Sequence, residues 1–436
     1  MYKSGLSLRQ VSHVLLFIGT FMGINFRTPS YGTVRIWVQK MGLYLLEKGG
    51  KKGQLGQKIK EQWCLIVDES YTLGKSHLLL VLGVRLSSLK FGRVLSHTDV
   101  VPLAIESRET WKGEEIAAVI GGVSKKIDGD IVYGVSDKGA SIVNAFELQG
   151  IPRIADWSHY IANVLEKCYV ENTDFKVFNA KMGAFKKKRK QSQYTHYSPP
   201  NLSVKMRFMN YIPFLEWAHT MLNNLKKIPL AIAPELQFLQ DLKPLIDEMT
   251  DLFFTAHKIG VILKKEGINP KTQAEAFALL KILEVKMTQV NKMGHKIYPN
   301  PLKVATFILA IKQYFDSATI VYRDIVPIAH LNPEKKQIAP LFDSLIASSD
   351  TIESIFGKLK HRCPKDPKRG FSALILIIPL FCCPFSAYDT FIALSKVAMN
   401  DLFKWKEKKL ANQQYTSFRN VFKNKAKNRG AFKMAV

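Results

Sequence analysis

The chain has 436 residues, of which 47% are apolar, enough for two or three domains with a substantial core, and this excludes an intrinsically disordered protein. Lys and Arg number 63 against 36 Asp and Glu, so the formal net charge is +27. So large a basic excess on a folded chain indicates a polyanionic partner, most simply nucleic acid, with an anionic membrane surface as the rival.

Two short helices are predicted at the N-terminus. Ser7 can cap the first, and Ser30 stands before the second, which carries basic residues on its outer faces. The pair resembles a helix-turn-helix reader, for which an ordinary helical hairpin is the alternative. Residues 1–47 are therefore predicted to form a small helix-turn-helix-like DNA-binding domain. Its candidate DNA contacts are Arg9, Ser30, Arg35, Gln39 and Lys40.

A basic linker is predicted over residues 48–61, because the segment KGGKKGQLGQKIK combines glycines with lysines. The hydrophobic period changes after it. Buried strands are predicted at WCLIVDES, 77–87, 100–107 and DIVYGVSD, with helices at 113–123 and 140–148 and a short strand at IPRIAD. This alternation predicts an α/β domain whose first part spans residues 62–165.

An all-α insertion is predicted over residues 166–345, where apolar residues recur at helical spacing and no strand pattern is found. The insertion begins with a predicted surface loop that holds KKKRK, residues 186–190. The α/β domain is expected to resume over residues 346–400. A basic tail, 401–436, follows, in which lysines and aromatic residues interleave in a way that suits contact with DNA.

Acidic side chains end two of the predicted strands. The run Cys64 to Val67 ends in Asp68, and DIVYGVSD ends in Asp137. Glu69 is expected to face the other side of its strand. Glu353 lies in a helix that Ser349 or Asp350 can cap, and Lys358, Lys360 and Arg362 follow it as candidate DNA contacts. Carboxylates that converge on a site about 4 Å across are what two-metal phosphodiester chemistry needs.

In this order, the segments resemble the DDE transposases of bacterial insertion sequences, in which two aspartates and a glutamate lie on an RNase H-like fold. The resemblance covers most of the chain. It is carried by LIVDES at the first aspartate, VYGVSDKGASIVNAFELQGI at the second and TIESIFGKLK at the glutamate. The segments LSLRQVSHVL and TPSYGTVRIWVQKMGLYLL are similar to the DNA-binding heads of such enzymes.

A further segment, IPRIADWSHYIANVLEK, is similar to a signature of the Mutator-like group of transposases. In that group the second aspartate is followed by Cys-x-x-His, and here Asp156 stands in place of the cysteine while His159 matches. The resemblance implies that His159 assists near the cleaved phosphate. A histidine bonded inside the fold is the alternative.

The resemblance implies a DNA transposase that binds the terminal inverted repeats of a mobile element, cleaves at its ends and joins the 3′-OH ends to target DNA. Asp68, Asp137 and Glu353 would hold two Mg²⁺ ions, for which Mn²⁺ can substitute. The expected partners are double-stranded DNA, at the element ends and at the target, and a second copy of the chain, with no membrane involved. The expected location is the bacterial cytoplasm, associated with the nucleoid, in keeping with cysteines that form no Cys-x-x-Cys pair.

Two rival functions are considered. One is a catalytically inactive, transposase-derived DNA-binding regulator, against which the three intact acids argue. The other is an RNase H-like nuclease without strand transfer, which would need neither an N-terminal head nor so large an insertion.

Overall fold

The protein is a mixed α/β chain with a five-stranded sheet. The computed structural model describes residues 7–24, 27–51, 61–73, 76–201, 211–290, 294, 296–325, 343–362 and 371–411. The predicted linker lies largely outside these residues, as do the tail beyond 411 and residues 74–75 of the first hairpin turn.

The strands form one sheet, in the order β3-β2-β1-β4-β5. The first three pair antiparallel as a meander, and β4 pairs parallel with β1. This order and these directions are compatible with an RNase H-like fold. The bounds are β1 Gln62–Leu73, β2 Ser76–Arg85, β3 Val101–Arg108, β4 Asp130–Ser136 and β5 Arg153–Ala155.

Helices surround the sheet and fill the long interval between β5 and the end of the chain. Their bounds are α1 Leu8–Phe21, α2 Tyr31–Lys48, α3 Gly113–Lys126, α4 Ala140–Leu148, α5 Trp157–Tyr169, α6 Thr173–Arg189, α7 Ile212–Asn224, α8 Gln237–Asp241, α9 Lys243–Glu266, α10 Pro270–Thr288, α11 Pro301–Ile325, α12 Asp350–Arg362, α13 Ile378–Cys382, α14 Ala387–Lys396 and α15 Met399–Lys409. The helix predicted over 140–148 is confirmed.

The chain divides into two compact units. The first comprises residues 1–90, 95–153 and 349–436, and holds strands β1 to β4. The second comprises residues 91–94 and 154–348. The predicted insertion began at 166, whereas the second unit already includes α5. The predicted boundaries at 47, 61 and 400 have no counterpart in this two-unit division.

A large core cluster of the first unit lies on one face of the sheet. Trp63, Leu65 and Val67 of β1 are fully buried there, in a cluster with apolar residues of α3 and α4. The alternate residues Cys64 and Ile66 are also fully buried. Because successive side chains of a strand point to opposite faces, β1 is covered on both sides. This explains why its sequence is apolar without alternation.

The first strand extends beyond its predicted end. Asp68 was predicted to close the strand, but β1 continues to Leu73, which pairs with Ser76 in a hairpin. The register shifts between Asp68 and Tyr71, where one extra residue is inserted opposite β2. Such a bulge bends a strand and redirects its side chains. The pairing of β1 with β4, however, ends just before Asp68, because the last pair of that ladder is Val67 with Ser136.

Helix α2 is packed within the first unit. It contacts α13, α14, α15 and the short helical turn Ala373–Ile377. Gly42 permits the closest approach, because a Cβ atom there would lie 1.7 Å from the carbonyl oxygen of Leu376. Lys48 pairs with Asp389 of α14 at 2.6 Å, and the ammonium group holds the pKa of that carboxyl below its usual range. Helix α2 thus shares a core with the C-terminal helices.

The basic run KKKRK is helical. It was predicted to be a loop, but residues 186–189 form the last turn of α6. Phe178, Met182 and Phe185 recur at helical spacing on the buried face of α6, and that stripe carries the helix into the basic run. Arg189 is itself buried, pairs with Glu235 and lies over the Phe185 ring at 5.3 Å.

Helix α11 is long and apolar enough to cross a membrane by length and composition, alone among the helices of the described ranges. Its buried residues, which include Val304, Phe307, Ile311 and Phe315, recur at spacings of three and four. That face packs against α5 and α10 of the second unit. Such a pattern is typical of the core helix of a folded domain.

Lys126 gives a testable dependence of stability on pH. It lies in the last turn of α3, donates to the carbonyl oxygen of Leu46, and burial lowers its pKa to about 8 from 10.5. The unfolded chain therefore binds more protons between these values, so the free energy of unfolding rises as pH increases through this window. We expect this rise to be about 1 kcal/mol larger in the wild type than in Lys126→Met, after allowance for partial exposure.

Urea titrations on either side of that window measure the effect. Lys125→Met is the matched control, because it removes an exposed lysine from the same helix turn. An equal dependence on pH in Lys126→Met and the wild type would contradict the assignment.

Candidate active site

Asp68 and Asp137 follow neighbouring parallel strand segments. Val67 pairs with Ser136, and each is followed by an aspartate. Neighbouring strands lie about 4.8 Å apart, and residues in register point to the same face of a sheet. The structure therefore brings the two predicted aspartates side by side. Asp68 is only 6% exposed, so its carboxylate is largely shielded from water and is held by rigid backbone.

The turn after β4 fixes Asp137. The Gly139 amide donates to Asp137 Oδ1 at 3.0 Å, which closes the turn that leads into α4. The Arg153 guanidinium, from β5, donates to the Asp137 carbonyl oxygen at 3.0 Å. These bonds hold the backbone of Asp137 from two directions and occupy one of its carboxylate oxygens. Sequence reasoning did not find either supporting residue.

Glu69 is a carboxylate next to this site. Burial raises its pKa to about 7, and the nearby charges of Asp137 and Asp68 raise it further in the same direction. Glu69 thus lies close enough to both aspartates to be affected by their charge. Simple alternation along the strand places Glu69 on the face opposite Asp68, and its carboxylate lies 3.6 Å from His77 Nδ1 of β2.

Glu353 lies on α12, which returns to the sheet after the second unit and packs against β1. Ile352, Ile355 and Phe356 form the buried face of the helix. Glu353 is half-buried in the first turn, where its amide bonds the carbonyl oxygen of Ser349. Among the described residues, no group of three or more His, Cys, Asp and Glu side chains is arranged to hold a metal ion. The complete triad therefore stays a prediction.

The carboxylates that are brought together are of the ligand type that a divalent cation binds. Asp68 and Asp137 offer only oxygen ligands, which Mg²⁺ prefers. Burial is the main cause of the raised pKa of Glu69, and the charges of the two aspartates add to it, a repulsion that a bound cation would relieve. Asp68 and Asp137 would hold the metal, and Glu353 would have to join them.

His159 belongs to the second unit, at the start of α5. Asp156 is 1% exposed and caps this helix, since its carboxylate accepts the His159 amide at 2.8 Å. The same carboxylate oxygen lies 3.0 Å from His159 Nδ1. An aspartate is among the best N-cap residues, which gives a structural reason for the departure from cysteine. A role for His159 near the phosphate stays a prediction.

The candidate DNA contacts of the N-terminal helices differ in their exposure and in their contacts. Arg9 is exposed and lies over the Tyr31 ring at 5.6 Å. Ser30 caps α2, and Lys40 donates to the carbonyl oxygen of Leu394 at 3.3 Å. Gln39 is 8% exposed, so this structure does not present it to a base edge. Arg35 is half-buried, and its Nε has no hydrogen-bond partner among the described residues.

The basic residues of α12 differ in exposure. Lys358 is exposed, whereas Lys360 and Arg362 are half-buried. All three lie on the helix that carries Glu353. A role for them as DNA contacts stays a prediction.

Comparison with known proteins gives only distant structural likenesses. The sequence matches no protein-family model and no curated protein. Among solved structures, the chain is similar to a Drosophila P element transposase in a strand transfer complex. The identity is 13% and the TM-score 0.39, over 84% of this chain and 86% of that one. A likeness at this level is too distant to bear on function.

Proposed function

We propose that the chain is a DDE transposase on an RNase H-like catalytic domain. It binds the terminal inverted repeats of a mobile element, cleaves at the element ends and joins the 3′-OH ends to target DNA. The observation that carries the proposal is the adjacency of Asp68 and Asp137 on parallel strands, with the helix of Glu353 packed against the first of them.

The residues of the chain have separate tasks in this proposal. Asp68 and Asp137 present carboxylates from fixed backbone, and Arg153 and Gly139 keep the second of them in place. Glu353 approaches from α12. When two Mg²⁺ ions are bound by these acids, they supply a nucleophile at neutral pH and neutralise charge on the phosphate. One site can thus serve hydrolysis at the element end and transfer of the freed hydroxyl.

DNA binding is proposed to be largely electrostatic. The net charge of +27 supports it, as does α15, where Lys404, Lys406 and Lys408 stand among Phe403 and Trp405. Basic and aromatic side chains in alternation suit nucleic-acid backbones and bases. Arg9 and Arg35 of the N-terminal helices remain proposed DNA contacts. The packing of these helices does not favour a separate DNA-binding domain.

A homodimer is proposed because two element ends must be joined together. Helix α1 offers a surface for it, since Val14, Phe17, Ile18 and Phe21 are exposed along one face, Phe17 and Phe21 by 71% and 83%. Two such rings present roughly 300 Å² of aromatic surface, at ~200 Å² per ring. Exposed apolar patches of this size commonly mark interaction sites.

Replacement of Glu353 tests the proposal. We expect Glu353→Gln to lose strand cleavage and strand joining by several orders of magnitude, because a neutral amide is a poor metal ligand. Binding to the same DNA should remain. The measurement is nicking and joining of labelled duplexes made from the DNA that flanks the gene, in Mg²⁺, beside a gel-shift assay.

Glu109→Gln serves as the control, since it neutralises an exposed carboxylate of the first unit. Wild-type rates in Glu353→Gln would contradict the triad. A wild type that cuts but never joins would indicate a nuclease, and one that binds ends but never cuts in Mg²⁺ or Mn²⁺ would indicate the inactive regulator.

A further inference from the structure

Three side chains from distant parts of the first unit meet on the exposed face of α12. His97, in the short turn before β3, has its Nε2 3.1 Å from Ser354 Oγ. Its other ring nitrogen, Nδ1, lies 2.9 Å from Lys358 Nζ. Ser354 and Lys358 are four residues apart, so they share one face of the helix. Sequence reasoning did not find this cluster, because 257 residues separate His97 from Ser354.

The cluster brings basic groups together without an acid. Lys358 contacts His97 and lies over the Phe381 ring at 5.9 Å. Within the described part of the chain, neither Lys358 nor His97 pairs with a carboxylate. Burial lowers the pKa of His97, and the Lys358 charge lowers it further. Two basic side chains held 2.9 Å apart repel when both are charged, and an anion between them would remove that repulsion.

We propose that His97, Ser354 and Lys358 bind a phosphate of the DNA backbone. Each can donate a hydrogen bond, through the imidazole N–H, the hydroxyl and the ammonium group, and lysine is a common phosphate ligand. The imidazole then orients the ammonium group. This deepens the proposed function, on which it rests, by naming a backbone contact beside the chemistry.

The cluster lies next to Glu353 on α12. Ser354 directly follows Glu353, and Lys358 lies five residues beyond Glu353 on α12. At ~1.5 Å per residue, that is about 7.5 Å along the helix axis. The cluster would fix the register of the strand at the site.

The test is the salt dependence of affinity for a short fluorescein-labelled duplex, measured between ~50 and ~200 mM salt. We expect Lys358→Ala to weaken binding roughly tenfold and to reduce the slope of log affinity against log salt by about 1. His97→Ala should weaken binding a few-fold with a smaller change of slope, because the imidazole is mainly neutral at neutral pH. Lys358→Arg should keep the wild-type slope.

Lys125→Ala is the matched control, because it removes an exposed lysine from α3, which packs in the core cluster away from α12. Circular dichroism and melting temperature check that each variant folds. If Lys358→Ala and Lys125→Ala give the same slope, the phosphate site is overturned.

The inference can fail separately from the proposed function. A wild type that nicks DNA while Lys358→Ala behaves as the control overturns the phosphate site alone. A wild type that never nicks, but whose salt slope depends on Lys358, overturns the transposase activity and supports the phosphate site.

Discussion

Asp137→Ala should abolish strand cleavage while binding to DNA persists. Asp137 lies just beyond β4 and is half-exposed, so its truncation removes the proposed metal ligand with little loss of core packing. Loss of one ligand of a two-metal site leaves charge on the phosphate uncompensated and should slow the chemical step by several orders of magnitude. The measurement is nicking of end-containing DNA in Mg²⁺, with binding followed by gel shift.

The matched control for Asp137→Ala is Glu109→Ala, which removes an exposed acid of the same unit. Binding in Asp137→Ala should be unchanged or slightly tighter, because a negative charge has been removed near the DNA. Nicking at the wild-type rate in this variant would exclude a catalytic role for Asp137.

Gly42→Ala should destabilise the first unit by about 2 kcal/mol. This is the difference between the cost of overpacking and the smaller gain in helix propensity. A Cβ atom at this position would lie 1.7 Å from the Leu376 carbonyl oxygen, and backbone cannot move aside as a side chain can. Helix α2 would have to separate from the turn Ala373–Ile377. Urea unfolding followed by circular dichroism measures the loss.

Gly32→Ala provides an internal comparison for Gly42→Ala. Gly32 lies near the start of the same helix, and the nearest atom to a Cβ there is Ser30 Oγ at 3.6 Å. That variant should be neutral or more stable by up to about 1 kcal/mol, because alanine favours helix. Equal stability of the two variants would mean that α2 is a loosely attached head, as the sequence suggested.

Local patterns predicted much of the sheet. The acids that end the apolar runs at Val67 and Ser136 were informative, because the parallel strands in which they lie bring those ends together. The period of apolar residues also located α3 and α4. These features depend on neighbours in sequence, which is the range that hydrophobic periodicity reports.

The remaining features depend on contacts between distant residues. The packing of α2 on α13 and α14 joins residues more than three hundred positions apart, and no local pattern encodes it. The bulge between Asp68 and Tyr71 is a property of strand pairing rather than of strand sequence. No sequence pattern marks His97, because its proposed role in phosphate binding follows only from the position of α12.

The division of the first unit by the second has a consequence for the newly made chain. Asp137 and Glu353 are 216 residues apart in the sequence. At a ribosome speed of ~5–20 residues per second, about 10–40 s pass between the synthesis of one and of the other. During that interval the sheet and both aspartates exist without α12, and without the helices that cover α2. A message truncated within the second unit would therefore yield a product that retains the aspartates but never gains the glutamate.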